Sequence, residues 1–535
     1  MTAPFSTDDN GFALSREAID TFICNGFLQL QCGLEEEKNH AIDQALRCAI
    51  EQEFQSGNNI LPRVPELYEV LESPVVHGAL SSLLGAGYML HPHRFVHVST
   101  PIEDRSLEID ALADAPVMGP GSMAGSGWHQ DAHSPLARAR YHTPRHVTLF
   151  YFPHDTPALM GPTRLQPGSQ YYPAPVDDRY RLMPDFIAAG TVILAHFDIV
   201  HAGFTNRGDS ARYMVKFVFS RTREPELAPP GAQQEYWTTP ADNLVDEPLE
   251  ATWSAIHAWL QGCSSPPHEM PPQLGPMMEL LDAESQRDRL EAIYQLARLG
   301  EAAVPALLAK LTEAAGQGRE QRALLRGKDG QEKPVDRPVR ERRWNERAVV
   351  MEDAAYALAR MGDCARQAAV ELSCHDDPWM QINAGFVLGE IGGDEAVDAL
   401  VRQLQSPHHQ VVRQALDALS CVRDQINVAL PAIENLLTRQ VPDWQAGEVL
   451  RGWSAQMQIH VNAVFALVCA IQRPGSDQQA IERLLVGALD NRHGYVQQIA
   501  MEGLSRIDSA SALRAALAHA KKHHWDASLA GIRIY

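Results

Sequence analysis

The sequence predicts an α+β domain with a β-sandwich or jelly-roll core, followed by an all-α solenoid. Short segments rich in Val, Phe and Tyr alternate with Gly/Pro turns in the first part of the chain. Ala/Leu-rich helical segments recur in the last part, and two Pro-rich stretches lie between the two parts. We therefore expect a domain over residues 1–223, a Pro-rich linker or covering segment over 224–284, and a helical array over 285–535.

The composition is that of a globular protein with an acidic balance. Hydrophobic residues make up 45% of the 535 residues and charged residues 21%, as is usual for soluble domains. The net charge of −21 argues against non-specific binding to nucleic acid or to an anionic membrane. The eight cysteines form no C-x-x-C pair, and the N-terminus lacks the pattern of a signal peptide. We expect a cytoplasmic protein with no nucleic-acid or membrane partner.

Helices are expected before the strands in the first part of the chain. SREAIDTFICNGF (15–27) has helical spacing behind Ser15, a residue typical of an N-cap, and VVHGALSSLLG (75–85) ends in a glycine typical of a C-cap. Four later segments have the length and composition of strands. They are RFVHVSTP (94–101), HVTLFYF (146–152), TVILAHF (191–197) and YMVKFVFS (213–220).

A helical motif recurs after residue 285. Six segments align on one alanine each, namely Ala292, Ala354, Ala384, Ala415, Ala463 and Ala500. A small residue at a fixed place in each helix lets neighbouring helices approach closely. Candidate second helices of the pairs lie between these segments, at 303–311, 395–404 and 429–437. The pattern predicts an α-solenoid similar to short HEAT-type repeats, with an unrelated helical bundle as the alternative. The spacing of 62 residues between Ala292 and Ala354 is the widest of the series and indicates an insertion from residue 317 to 347. We expect this insertion to be a solvated loop.

The candidate catalytic residues follow the pattern H-x-D. Two histidines and one carboxylate on one face of the ion are typical of non-haem Fe(II) sites, and the period of two along a strand puts both H-x-D side chains on one side. The pattern alone is weak, because it occurs four times: at His129/Asp131, His196/Asp198, His375/Asp377 and His524/Asp526. The last two pairs lie among predicted helices, where positions i and i+2 point in different directions.

The surroundings of the first pair resemble a known family. GWHQDAHSPL (127–136) is followed by MGPTRLQPGSQYY (160–172) and then by HAGFTNRGDSAR (201–212). This order of motifs is similar to that of the phytanoyl-CoA dioxygenase family, over roughly residues 10–223. The resemblance implies a double-stranded β-helix core of the jelly-roll or cupin-like type. It also implies an Fe(II)- and 2-oxoglutarate-dependent dioxygenase.

The resemblance assigns the site residues by position. His129 and Asp131 correspond to the first two iron ligands and His201 to the third. Arg212 corresponds to the arginine that binds the distal carboxylate of 2-oxoglutarate, which a planar guanidinium can grip through two hydrogen bonds. Phe150 corresponds to a bulky residue beside the cosubstrate. Gly203 stands where some relatives have a serine that touches the cosubstrate.

The implied activity is the use of dioxygen to hydroxylate, or otherwise oxidise, an unactivated C–H bond of a small organic molecule. Asp131 favours hydroxylation, because halogenating relatives replace this carboxylate with a small residue. The repeats would then serve substrate access or assembly. Two alternatives remain open. The repeats could dock a protein or carrier-bound substrate, or the protein could be a non-catalytic adaptor with a vestigial oxygenase fold.

Overall fold

A computed structural model describes residues 12–53, 58–103, 128–131, 138–172, 184–227, 236–263, 272–316, 322–326, 332–338, 348–446, 448–450 and 453–523. The strands are β1 (Phe27–Gln31), β2 (Met89–Ser99), β3 (Arg138–Ala139), β4 (His146–Phe152), β5 (Thr156–Pro157), β6 (Arg164–Leu165), β7 (Phe186–Ile187), β8 (Thr191–His196), β9 (His201–Ala202), β10 (Arg212–Ser220), β11 (Arg322–Arg326), β12 (Glu332–Pro338), β13 (Ala348–Val349), β14 (Glu448–Leu450) and β15 (Trp453–Ser454).

The helices of the first half are α1 (Arg16–Asn25), α2 (Glu36–Glu53), α3 (Ile60–Arg63), α4 (Leu67–Leu71), α5 (Pro74–Leu84), α6 (Glu250–Leu260) and α7 (Leu274–Leu281). Those of the second half are α8 (Gln286–Ala297), α9 (Val304–Thr312), α10 (Asp353–Ala359), α11 (Arg366–Leu372), α12 (Pro378–Ile391), α13 (Asp394–Gln403), α14 (His409–Cys421), α15 (Leu430–Thr438), α16 (Pro442–Ala446), α17 (Ala455–Ile471), α18 (Gln478–Ala488), α19 (Gly494–Leu504) and α20 (Ala510–Lys522).

The two predicted N-terminal helices are confirmed together with their caps. The Ser15 hydroxyl accepts a hydrogen bond from the Ala18 N–H at 3.2 Å, so α1 begins where the sequence predicts. Gly26 ends α1 at φ 79°, and Gln170 packs so closely against it that a Cβ there would lie 2.3 Å from the Gln170 Oε1. Helix α5 ends at Gly85, as predicted.

The N-terminal part is built on a five-stranded antiparallel sheet in the order β1-β8-β4-β10-β2. Its strands confirm the four predicted segments, and β4 has the predicted bounds, residues 146–152. The period of two divides the side chains between two layers. On one face, Leu149 and Phe217 pack against the helices α1, α2 and α5. On the other face, Phe150 and Met214 pack against Leu165 of β6 and against β7.

Short strand pairs lie against this second face. β6 pairs with β9, β5 pairs with β7, and residues 129 and 201 form an isolated antiparallel bridge. The N-terminal part is therefore a mixed α/β unit with a layer of short strands beside one face of its main sheet.

In the described residues of the C-terminal part, six helix pairs follow one another, and the first helix of each pair carries one of the six aligned alanines. The pairs are α8/α9, α10/α11, α12/α13, α14/α15, α17/α18 and α19/α20. All six alanines are at most 2% exposed. Close approach is evident at Gly389 of α12, where a Cβ would lie 2.7 Å from the Ala418 Cβ on α14. Within the predicted insertion, which we expected to be a loop, β11 and β12 instead pair as antiparallel strands. The remainder of 317–347 lies outside the described residues.

The first helix of each pair forms an inner row that faces the N-terminal unit. Tyr294 of α8, Phe386 of α12 and Phe465 of α17 make ring contacts with residues 141, 142 and 146. One hydrophobic cluster includes Ile23 and Met89 of the N-terminal unit together with the core of the repeats. The inner row of helices is therefore covered by the N-terminal unit of the same chain.

The segment between the two parts also enters this shared core. Trp253 of α6 is fully buried and belongs to the same hydrophobic cluster. Among the described residues, no helix combines the length and the apolar character needed to cross a bilayer.

Candidate metal centre

His129, Asp131 and His201 converge although 70 positions in the sequence separate Asp131 from His201. One donor atom from each lies within 4.8 Å of the other two. The backbones of His129 and His201 exchange two hydrogen bonds of 3.0 Å, which brings their rings to a centroid distance of 4.4 Å. Among the described residues, this is the cluster of three or more His, Cys, Asp and Glu side chains that could hold a metal ion.

Hydrogen bonding fixes His201 in the form that a metal ligand needs. Its Nδ1 donates to the Ile199 carbonyl at 3.0 Å, so the Nε2 carries the free lone pair. That Nε2 lies 3.7 Å from the Asp131 Oδ2. Burial lowers the pKa of His201 to about 3, and the imidazole is therefore neutral at physiological pH.

Asp131 is buried but ionised. Burial alone would raise its pKa, yet the Lys216 ammonium, together with His201 and His129, holds the pKa well below its usual range. The Lys216 Nζ contacts the Asp131 Oδ2, and the His129 Nε2 lies 4.0 Å from the Oδ1. The His129 side chain is 45% exposed, in contrast to the other two residues. The centre therefore opens to solvent on the side of His129.

Arg212 begins strand β10 and is 4% exposed. Its Nε and Nη1 are buried and have no hydrogen-bond partner among the residues that the structure describes. Burial lowers its pKa to about 10, so the guanidinium stays charged at neutral pH. A buried charge without a counter-ion is costly, and this one is suited to an anionic ligand.

Phe150 lies beside the centre. Its ring centroid is 5.5 Å from that of His201, and its side chain is 1% exposed. Because Lys216 is its partner in the register of β10 and β4, both side chains lie on the inner face of the sheet. The structure thus brings all five predicted site residues to this face or its edge.

The competing H-x-D pairs have local structural roles. In two of them the histidine Nδ1 accepts the aspartate N–H, at 3.2 Å for His196 and Asp198 and at 2.9 Å for His375 and Asp377. Asp198 is also held by two hydrogen bonds from Arg138. The pair His524/Asp526 lies outside the described residues.

Three further histidines near the motifs have protein partners. His142 bonds Tyr294, His146 bonds Ser220, and His154 accepts the Tyr213 N–H. His133 lies outside the described residues.

The repeats hold the chain close to the H-x-D pair. The Arg140 N–H donates to the Val349 carbonyl at 2.8 Å, and the Tyr356 hydroxyl donates to the Arg140 carbonyl at 2.8 Å. The Arg140 guanidinium contacts the side-chain oxygen of Gln130, the residue between the two H-x-D side chains. Gln130 in turn donates to the Tyr172 carbonyl at 3.0 Å. The inner row is thus connected to the centre through two side chains.

Sequence reasoning missed Lys216, Arg140 and Gln130. For Lys216 a signal exists, because it is the only charged residue in the predicted strand YMVKFVFS and shares its face with Arg212 by the period of two. For Arg140 and Gln130 no such signal exists, because their roles depend on contacts with the repeats that the fold creates.

Comparison with known families agrees with the sequence on both parts of the chain. Residues 22–214 match the family phytanoyl-CoA dioxygenase (PhyH). Residues 345–420 and 368–451 match HEAT repeats. Both resemblances stated from the sequence are thereby confirmed: the N-terminal unit resembles phytanoyl-CoA dioxygenases, and the C-terminal part contains HEAT repeats.

Several solved structures are similar to this chain at low identity. The apo form of the non-heme monooxygenase ThoJ is 16% identical, with 39% of this chain and 80% of that chain covered at a TM-score of 0.30. The epimerase SnoN in complex with Fe3+, alpha ketoglutarate and nogalamycin RO is 16% identical (38% and 81% covered, TM-score 0.29). EctD from S. alaskensis with 2-oxoglutarate and 5-hydroxyectoine is 14% identical (41% and 82% covered, TM-score 0.30). No curated protein matches the chain.

Proposed function

We propose that this protein is an Fe(II)- and 2-oxoglutarate-dependent oxygenase whose N-terminal unit is a double-stranded β-helix. The observation that carries the proposal is the convergence of His129, Asp131 and His201 beside a sheet that also holds the buried Arg212. The layer of short strands against the five-stranded sheet supports the β-helix. The family match over residues 22–214 supports the class of reaction.

The donor set fits Fe(II). Two neutral imidazoles and one carboxylate are the ligands of the facial non-haem iron site, which leaves further positions open for a cosubstrate and dioxygen. His201 offers its Nε2 and Asp131 is ionised, so neither needs to lose a proton before it binds the metal. The exposed side of His129 gives a route of entry.

The cosubstrate fits Arg212. A guanidinium that is buried, charged and without a partner among the described residues would bind the distal carboxylate of 2-oxoglutarate through charge-assisted hydrogen bonds. Phe150 and Met214 give the inner face an apolar wall, which excludes water and strengthens that interaction.

Iron, 2-oxoglutarate and dioxygen together supply the oxidation of a C–H bond, with 2-oxoglutarate converted to succinate and CO₂. The protein's own contribution is positional. Ile199 orients His201, Lys216 holds one oxygen of Asp131, and Arg212 fixes the far end of the cosubstrate. We assign hydroxylation, or a related oxidation, of a small organic molecule as the reaction, because the carboxylate ligand Asp131 is retained.

The test is succinate formation by the purified full-length protein supplied with Fe(II), 2-oxoglutarate and oxygen in the absence of substrate. Slow uncoupled turnover is expected for the wild type, and Asp131→Ala should abolish it together with Mn²⁺ binding. His375→Ala, which alters another H-x-D pair, is the matched control and should retain both. Equal turnover in Asp131→Ala and wild type would contradict the proposal.

The same assay separates the alternatives. A non-catalytic adaptor would form no succinate. A protein substrate docked on the repeats would have to bind away from the inner row, because the N-terminal unit already covers it. We therefore assign the repeats to assembly of the enzyme itself, with the substrate a small molecule.

A further inference from the structure

A lysine contacts the carboxylate of the proposed ligand set. Lys216 lies on β10, and its Nζ contacts the Asp131 Oδ2. Its side chain is 7% exposed, and the Nζ is 6.0 Å from the centre of the Phe197 ring. The ammonium is therefore held in an enclosed, partly aromatic environment with Asp131 as its counter-ion.

Lys216 contacts the centre, and a second cation, Arg212, lies on the same strand. Arg212 and Lys216 are four residues apart on β10 and share one face of the strand. Met214 lies between them on β10, and its partner on β2 is His97. Burial and the positive charges of Lys216 and Arg212 lower the pKa of His97. With Asp131 as the carboxylate, the fixed charge of these three side chains is one positive unit. A divalent ion alone would raise this to three, and a dianionic cosubstrate would return it to one.

We propose that Lys216 couples the binding of the metal to the binding of 2-oxoglutarate. Without ligands, Lys216 neutralises Asp131 and competes with a divalent ion for the same carboxylate. Bound 2-oxoglutarate supplies two negative charges near both cations, so it offsets the repulsion between Lys216 and the metal. The metal alone then binds weakly and the metal with 2-oxoglutarate binds tightly.

This inference rests on the proposed function and adds an energetic coupling to it. Because such coupling is reciprocal, the metal must raise the affinity for 2-oxoglutarate by the same factor.

The experiment is a titration of the full-length protein with Mn²⁺, followed by the electron paramagnetic resonance signal of free Mn²⁺, with and without saturating 2-oxoglutarate. We expect 2-oxoglutarate to tighten Mn²⁺ binding by about tenfold or more in the wild type, within the range of about 5- to 150-fold usual for coupled sites. In Lys216→Met, Mn²⁺ alone should bind tighter than in the wild type, and the coupling factor should fall at least about fivefold.

Three further variants make the test decisive. Lys216→Gln is measured in parallel, so that a folding defect of the methionine variant does not decide the outcome. Lys216→Arg keeps the charge and should keep the coupling. Lys38→Met removes a lysine of α2 that is paired with Glu69 of α4, across the sheet from the centre, and this variant should behave as the wild type.

The possible failures are distinguishable. If 2-oxoglutarate tightens Mn²⁺ binding equally in the wild type and in both neutral Lys216 variants, the coupling role is wrong while the proposed function stands. If the wild type binds no Mn²⁺ with or without 2-oxoglutarate, the proposed function itself is wrong.

Discussion

At the scale of single residues, we propose that Arg212 is kept for a ligand at a cost in stability. Its guanidinium is 4% exposed, and two of its nitrogens have no partner among the described residues. Arg212→Met should therefore raise the KM for 2-oxoglutarate by about 100-fold or more, because two charge-assisted hydrogen bonds are lost. The same change should leave the melting temperature equal or higher, since a buried unpaired charge is removed.

The control for Arg212 is Arg223→Met, which removes a largely exposed arginine just after the same strand. It should change neither the KM, measured from succinate formation, nor the melting temperature. A lower melting temperature of Arg212→Met with an unchanged KM would show that Arg212 is structural.

Asp417 gives the stability a specific pH dependence. It accepts hydrogen bonds from the Ala139 N–H and the Tyr141 hydroxyl, both at its Oδ2, and burial raises its pKa to about 6. Because an unfolded carboxyl titrates near pH 4, the contribution of Asp417 is full below about pH 4 and is lost as the pH rises through about 6. The loss amounts to at most about 3 kcal/mol.

Asp417→Asn isolates this effect, because a single amide oxygen can still accept both hydrogen bonds. The difference in unfolding free energy, wild type minus variant, should fall between pH 4 and pH 7 in urea titrations. Parallel pH profiles of the two proteins would contradict this explanation.

The predictability of the site also differs between residues. His129, Asp131, His201 and Arg212 could be predicted because their order and spacing resemble a family pattern. Lys216 was not, since its partner Asp131 lies 85 residues away and only the fold brings the two together.

At the scale of elements, the repeats hold the segment that carries the proposed metal ligands His129 and Asp131. The backbone N–H and the carbonyl of Arg140 are both hydrogen-bonded to the repeats, and its guanidinium contacts Gln130. Arg140→Ala should weaken Mn²⁺ binding in the presence of 2-oxoglutarate by about tenfold, as the loss of groups that orient ligands commonly does.

Arg289→Ala is the control for Arg140. Arg289 lines the same interface, but its hydrogen bonds go to Asp353 and to the carbonyls of Ala283 and Glu284. It should leave Mn²⁺ binding unchanged, and equal effects of the two variants would reduce Arg140 to a general structural role.

Long, periodic elements were predictable and very short ones were not. The inner helices and the main strands have lengths over which a period of 3.6 or 2 can be recognised. β6 and β9, which place His201, are two residues long and have no period. Their pairing depends on the surrounding fold.

At the scale of the whole molecule, the two parts share one hydrophobic core. The inner row shares a hydrophobic cluster with the N-terminal unit. Across the interface, Glu390 is buried between Arg145 and Arg360, whose charges hold its pKa below the usual range despite the burial. The sequence predicted two parts but not their contact, because the repeated alanines indicate how helices approach each other and not what covers the inner row.

Truncation near residue 270 should therefore remove the stability of the N-terminal unit as well as the repeats. We expect the full-length protein to melt in one cooperative transition by calorimetry and residues 1–270 to be insoluble or unfolded. A soluble 1–270 fragment with a cooperative transition at the full-length melting temperature would show that the parts are independent.

The central claim is that His129, Asp131 and His201 bind one metal ion beside a cosubstrate held by Arg212. The most direct measurement is a crystal structure of the full-length protein grown with Mn²⁺ and 2-oxoglutarate under anaerobic conditions, with anomalous scattering data for the metal. We predict one anomalous peak at coordination distance, about 2.0–2.3 Å, from the three donor atoms, with the distal carboxylate of 2-oxoglutarate on Arg212. A structure without a peak at this place, in which Lys216 still contacts Asp131 and no anion contacts Arg212, would contradict the account.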